Sequence, residues 1–393
     1  MVVGRIHDPE YAEEILQDDK ADMIVVARPL LADPELPNKV AAGRFRDIRR
    51  CISCQNCIDS MFLWPTESKM ACAVNAASGR EEALTYARAG KTKRVVVVGG
   101  GPGGMEAARI ATLRGHHVTL LEKRRRLGGS LTLASTVHAE NGRLLDFLIG
   151  QMKALPVDVR LGVDAAVTTI KELDPDEVVV ATGAKLKLPD IAGLDMPHVI
   201  TGADLRRLVN GENVSGAPAI PGWMKVAAGL AAPIIDRNVT PASLRTASDF
   251  WLPVGKCVVV WGGDLAAIEL AEFLAKRGRQ VSVFAEDEDI APEIGPKRRL
   301  EHESRLERLK VSLNTGVRFE AIVEGGASIA MPGGRRIVVR ADTVIVTGSP
   351  VQDAALYDAA CAAGLSAHAI GDCTGLGLIV KAVYEGAELA NRL

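Results

Sequence analysis

The chain has 393 residues, with 47 Lys and Arg against 49 Asp and Glu, so its net charge of −2 marks it for neither nucleic acid nor an anionic membrane surface. Apolar residues make up 48 %, enough to core two or three domains, yet no apolar run is long enough to cross a bilayer. Seven cysteines, four of them clustered, suit a cytosolic metal site better than disulfides. The start, MVVGRIHDPEY, has no basic n-region and no apolar h-region, so a cytoplasmic location is expected.

In chain order, an apolar strand from Met1 ends at Gly4 and leads into helical DPEYAEEILQDD. A second strand, Asp22 to Ala27, ends at Arg28 before PLLADPELPNKV. Two strands cannot close a barrel, so residues 1–50 read either as a small βα cap or as the end of a larger barrel. Residues 51–91 open with Cys51, Cys54 and Cys57 in a C-x2-C-x2-C run, followed by Cys72. Three thiolates at this spacing wrap one face of a cubane, and a fourth closes it from a returning loop. Zinc more often uses two separated C-x-x-C pairs, so [4Fe–4S] is favoured over zinc and over unliganded core cysteines.

Residues 92–200 begin with the stretch around which the chain is organised, RVVVVGGGPGGMEAARIATLRGHHVTLLEKRRRLGG. The β-branched run Arg94 to Val98 reads as a buried parallel strand. Gly99, Gly101 and Gly104 form a G-x-G-x-x-G turn before a helix starting near Pro102, whose N–H groups would face a pyrophosphate. Glu122 ends the next strand, where a ribose hydroxyl would sit. Strand, turn, helix, strand and acid in that order indicate a dinucleotide.

Residues 201–256 read as an irregular connection, apart from Thr240-Pro241 as N-cap and first residue of a helix. Trp223 and Trp251 within it are expected to be packed. Residues 257–346 start a second dinucleotide-type unit, with Gly262 and Gly263 in the turn and Glu286 offered to a ribose. Asp264 stands at the second glycine, a like-charge neighbour for a pyrophosphate, and Ala267 at the third. The acidic run Glu286 to Asp289 disfavours NADPH and leaves NADH, an adenine nucleotide or an empty site. Residues 347–393 return with Ile370-Gly371-Asp372 and a C-terminal helix; Cys373 lacks a C-x-x-C partner and reads as packed.

Gly128-Gly129, the VVVATGA strand ending in Ala181-Thr182-Gly183, and Gly371-Asp372 resemble the two-dinucleotide-binding-domain flavoproteins of the glutathione reductase type. That resemblance implies an α/β Rossmann-type fold. It implies FAD held by Gly99, Gly101, Pro102, Gly104, Glu122, Lys123, Gly129, Ser130, Ala165, Ala181, Thr182, Gly183, Gly371 and Asp372. Residues 1–50 resemble the last two units of an Old Yellow Enzyme-type (β/α)8 barrel, with Gly4, Ala27 and Arg28 at FMN-phosphate positions. The cysteine segment resembles that of 2,4-dienoyl-CoA reductases and trimethylamine dehydrogenase, within the NADH:flavin oxidoreductases.

The resemblance implies a relay: hydride from NADH to FAD, single electrons to a cluster on Cys51, Cys54, Cys57 and Cys72, and then FMN in a complete barrel. The barrel would come from a partner subunit or a missing N-terminal half, and no general acid or base is read in this chain. Two other readings stand beside it. One is the electron-output half of an amine dehydrogenase-like enzyme without NADH turnover; the other is a truncated FAD-binding product without activity.

Overall fold

The computed structural model describes residues 1–62, 70–212 and 240–393, which form two units. The first unit comprises residues 1–131, 140–184 and 352–393. Its centre is a five-stranded parallel sheet in the order Ala367–Ala369, Glu177–Val180, Arg94–Val98, His117–Glu122, Asp158–Leu161. Val95 to Val98 are buried on both faces, as their unbroken β-branched run requires. The helix Pro102–Leu113 covers one face and packs against the C-terminal helix, Ile379–Arg392. The two backbones approach closely at Gly386, where a Cβ would collide with the Gly103 carbonyl.

The N-terminal segment of this unit holds a two-stranded parallel sheet, Val2–Val3 beside Ile24–Val25. The helix between them, Pro9–Gln17, is started by the Asp8 carboxylate accepting the Glu10 N–H at 3.1 Å. Arg50 pairs with the same carboxylate at 3.1 Å, tying the segment to the start of the cysteine run. Met1, Val3 and Met23, around the two strands, are exposed.

The second unit comprises residues 132–139 and 185–351. It repeats the parallel pattern in the order Ser312–Asn314, Gln280–Phe284, Cys257–Trp261, Thr343–Val346, Val199–Thr201. A three-stranded antiparallel sheet, Arg318–Val323, Gly326–Ala330 and Arg336–Arg340, adds Phe319, which stacks on Trp261 at 3.9 Å between ring centroids. The described parts of the connection, residues 201–212 and 240–256, are less irregular than expected. A reciprocal Thr201–Asp204 capping box starts the helix Gly202–Val209. Thr240 and Pro241 start the helix Pro241–Phe250 as read from the sequence. Trp251, expected to be packed, is 47 % exposed, and Trp223 lies outside the described residues.

Candidate cofactor-binding site

In the first unit the expected flavin-holding residues converge at the C-terminal ends of one parallel sheet, where open α/β sheets bind ligands. Gly99 turns the chain with φ of 113°, and a Cβ there would strike the Ala181 carbonyl. The following helix starts at Gly101 with no side-chain cap and with Pro102 in its first turn, so its N-terminus faces out unscreened. No atom lies within 4 Å of the point a Gly101 Cβ would occupy. Glu122, buried beneath the loop, accepts the Gly100 N–H at 2.7 Å through Oε2 and the Arg124 N–H at 2.8 Å through Oε1. A carboxylate has about four lone-pair sites, so this one keeps capacity for ribose hydroxyls.

The second glycine pair is stitched to the first: the Gly128 N–H donates to the Gly100 carbonyl at 2.8 Å, and the Gly129 backbone lies against Gly101. Lys123 and Ser130 are exposed at this edge. Val163 donates to the Glu122 carbonyl at 3.0 Å, bringing Ala165 beside the strand end. Ala181 to Gly183 follow directly, through the Ala181 N–H on the Val98 carbonyl at 2.8 Å. Gly371 is braced by Glu385, which accepts its N–H at 2.7 Å, and by the Lys381 ammonium on its carbonyl at 2.7 Å. Asp372 accepts the Gly377 N–H at 3.2 Å. An uncapped helix start, clear space above Gly101 and a buried acid at the neighbouring strand end together fit a dinucleotide. Glu122→Ala should weaken the binding of a dinucleotide here about 10- to 100-fold, because it removes a charged acceptor and leaves two N–H groups unpaired. Titration of the apoprotein with FAD checks this; an unchanged Kd would show that Glu122 only shapes the loop.

Cys51, Cys54, Cys57 and Cys72 line one cavity, walled also by Arg28 and Gln55. None of the four is in a disulfide. Burial pushes the Cys57 thiol up, as do Cys54 and Cys51, while Arg28 pulls it down. Burial likewise raises Cys72, with smaller contributions from Cys51 and Cys57. Among the described residues no three His, Cys, Asp or Glu side chains converge tightly enough to hold a metal ion. A single zinc needs its sulfurs at about 2.3 Å from one point, whereas a cubane meets each thiolate at a separate iron. Four thiols around a cavity therefore suit the larger group better.

Arg28 points to this cavity, with Nη1 donating to the Gln55 Oε1 at 3.0 Å. Gly4, with φ of 115°, and Ala27 lie exposed at the C-terminal ends of the two short strands. Two neighbours escaped the sequence reading. Arg143 donates to the Cys51 carbonyl at 2.9 Å, and buried His7 bonds the Ser53 hydroxyl at 3.0 Å. Burial first, and then Arg143, Arg28 and Arg5, lower the His7 pKa to about 4. The unfolded chain, with His7 near 6.5, therefore binds a proton that the folded chain refuses. The His7 contribution is complete well above pH 6.5 and declines as pH falls through 6.5 towards 4. Between pH 6.5 and 5, His7→Asn should reduce the acid-induced loss of unfolding free energy by on the order of 1–2 kcal/mol. Urea unfolding at the two pH values measures it, and equal losses in both proteins would refute the assignment.

In the second unit Gly262, with φ of 144°, turns the chain from Cys257–Trp261 into the helix Leu265–Ala275. Asp264 caps that helix, accepting the Ala267 N–H at 2.9 Å, and Glu293 accepts the Leu265 N–H at 2.6 Å. Burial raises the Asp264 carboxyl, opposed by the Ala267 N–H and reinforced by Glu293. Gly263 packs on buried Ala285, and Glu286 is exposed. Cys373 is packed as expected, its thiol donating to the Ile370 carbonyl at 2.9 Å.

The pyridine nucleotide-disulphide oxidoreductase model matches residues 65–141 and 93–364, and the NADH:flavin oxidoreductase / NADH oxidase model matches residues 1–47. The chain is 34 % identical over its whole length to a bilirubin reductase of Mediterraneibacter gnavus, covering 54 % of that protein. It is 33 % identical over 99 % of its length to an NADH oxidase of Thermoanaerobacter brockii, again covering 54 %. A 2-naphthoyl-CoA reductase complex superposes with a TM-score of 0.82 and 28 % identity, over 99 % of this chain and 53 % of that one. The chain thus spans about half the length of the relatives it matches. No helix among the described residues is long and apolar enough to cross a membrane.

Proposed function

The chain belongs to the pyridine nucleotide-disulphide oxidoreductase family, and from that premise we propose that it is the FAD- and [4Fe–4S]-carrying electron-transfer half of an enoate-reductase-type oxidoreductase resembling 2,4-dienoyl-CoA reductase. Its counterpart is the remainder of an FMN barrel. The observation that carries this reading is the cavity lined by Cys51, Cys54, Cys57 and Cys72, in the same unit as the glycine cradle. FAD exchanges two-electron for one-electron chemistry, and the cluster stores one electron.

The chain's own residues hold and orient. Gly99, Gly101 and Gly104 let the backbone approach the pyrophosphate, and Glu122 orients the ribose. Arg28 and Arg143 place cationic groups around a cavity that would carry an anionic thiolate cluster. The strand pair with exposed Met1, Val3 and Met23 around it, matched to the barrel family over residues 1–47, supports strand addition by a barrel partner.

A second direction of flow, outward from an amine dehydrogenase-like partner, is favoured by Asp264 and Glu293 on the helix start of the second unit. Anaerobic reductive titration tests the relay in either direction. About three electron equivalents per chain are expected, two at flavin and one at the cluster. Uptake of two, all at flavin, would leave only an FAD-binding product.

A further inference from the structure

We infer that the second dinucleotide-type unit is closed to NADH by its own side chains, Asp264 and Glu293 taking the helix N–H groups that the fold offers to a pyrophosphate. The two units correspond in their backbone hydrogen bonds. In the first, the Gly128 N–H donates to the Gly100 carbonyl; in the second, the Ala291 N–H donates to the Gly263 carbonyl, with the same 28-residue separation. Strand register agrees, since Val98 pairs with Leu121 and Trp261 with Phe284.

Under this alignment three positions change together. Gly101, with clear space above it and no side-chain cap on its helix, becomes Asp264, whose carboxylate accepts the Ala267 N–H. Ser130 becomes Glu293, whose carboxylate accepts the Leu265 N–H. Glu122, the buried acid for a ribose, becomes Ala285, which instead packs on Gly263. Glu286 lies one residue beyond the equivalent place and is exposed. Two carboxylates bonded to a helix N-terminus satisfy its dipole and its donors, so a pyrophosphate would have to displace both and meet their charge. The acid that would reward the ribose is absent. The inference does not depend on the cluster or on FAD, which belong to the first unit.

Calorimetric titration of the purified full chain with NADH tests it. The unaltered chain should show no saturation up to about 1 mM NADH. The pair Asp264→Gly with Glu293→Ser restores the first-unit residues and should gain at least about tenfold in affinity, with a Kd near or below about 0.1 mM. Should loss of the cap unfold the helix, Asp264→Asn with Glu293→Ser keeps a capping oxygen while removing both charges, and should gain in the same direction. Saturable binding by the unaltered chain below about 1 mM overturns the inference. So does a folded double variant that binds no better than the unaltered chain.

Discussion

Under the proposed relay, Cys57→Ser is expected to strip the chain of iron and acid-labile sulfide while leaving bound FAD in place. Cys57 sits near the start of the helix Asn56–Phe62 and shares the cavity with Cys51, Cys54 and Cys72. A serine hydroxyl is a far poorer iron ligand than a thiolate, and three remaining thiolates leave one corner of a cubane open to solvent. The loss should be nearly complete in anaerobic preparations. The flavin cradle uses Gly99 to Gly104, Glu122 and Gly128 to Gly129, none of which lines this cavity, so flavin content should stay within about 20 % of the unaltered chain. Cys361→Ser, at an exposed position, is the control and should change neither. Full iron in Cys57→Ser would remove this residue from the ligand set.

Glu106→Ala should lower the unfolding free energy of the first unit by about 3–5 kcal/mol, the cost of leaving a buried charge without its partner. Glu106 and Arg109 lie on the helix Pro102–Leu113 and make a fork of two 2.8 Å bonds, with both side chains buried. Burial alone would push the Glu106 carboxyl up, yet the Arg109 charge and its two bonds, helped by Arg49, hold it below its ordinary value. Arg49 and Arg109 both stack over the Phe147 ring, and Arg49 donates to the Val74 carbonyl at 3.0 Å. The cluster therefore locks the cysteine segment onto the helix that starts at the glycine turn. Glu106→Met with Arg109→Leu should recover most of the loss, because it removes both charges and keeps the volume. Urea unfolding of the single and double variants measures it, and an equal or larger loss in the double variant would refute the charge argument.

The glycine turn, the second glycine pair and the four cysteines were legible in the sequence because each is local. A strand–turn–helix grammar and a two-residue cysteine spacing need no knowledge of the fold. The buried Glu106–Arg109 pair was not legible, since charges three apart on a helix ordinarily read as a solvated face. His7 gives no local signal, because its partner Ser53 is 46 residues away. The second unit shows the same limit more sharply. Asp264 was read as a misfit at the second glycine. Its capping bond, the arrival of Glu293 on the Leu265 N–H and the displacement of Glu286 by Ala285 all depend on three-dimensional register. The helix Gly202–Val209 was missed because its capping box uses aspartate where glutamate or glutamine is the usual signal.

The most direct measurement is chemical analysis of the anaerobically purified chain for iron, sulfide and flavin, with electron paramagnetic resonance after reduction. A relay of the kind proposed yields about four iron, four sulfide and one FAD per chain, and a paramagnetic cluster signal on reduction. Colourless protein, or zinc in place of iron with no sulfide, contradicts it.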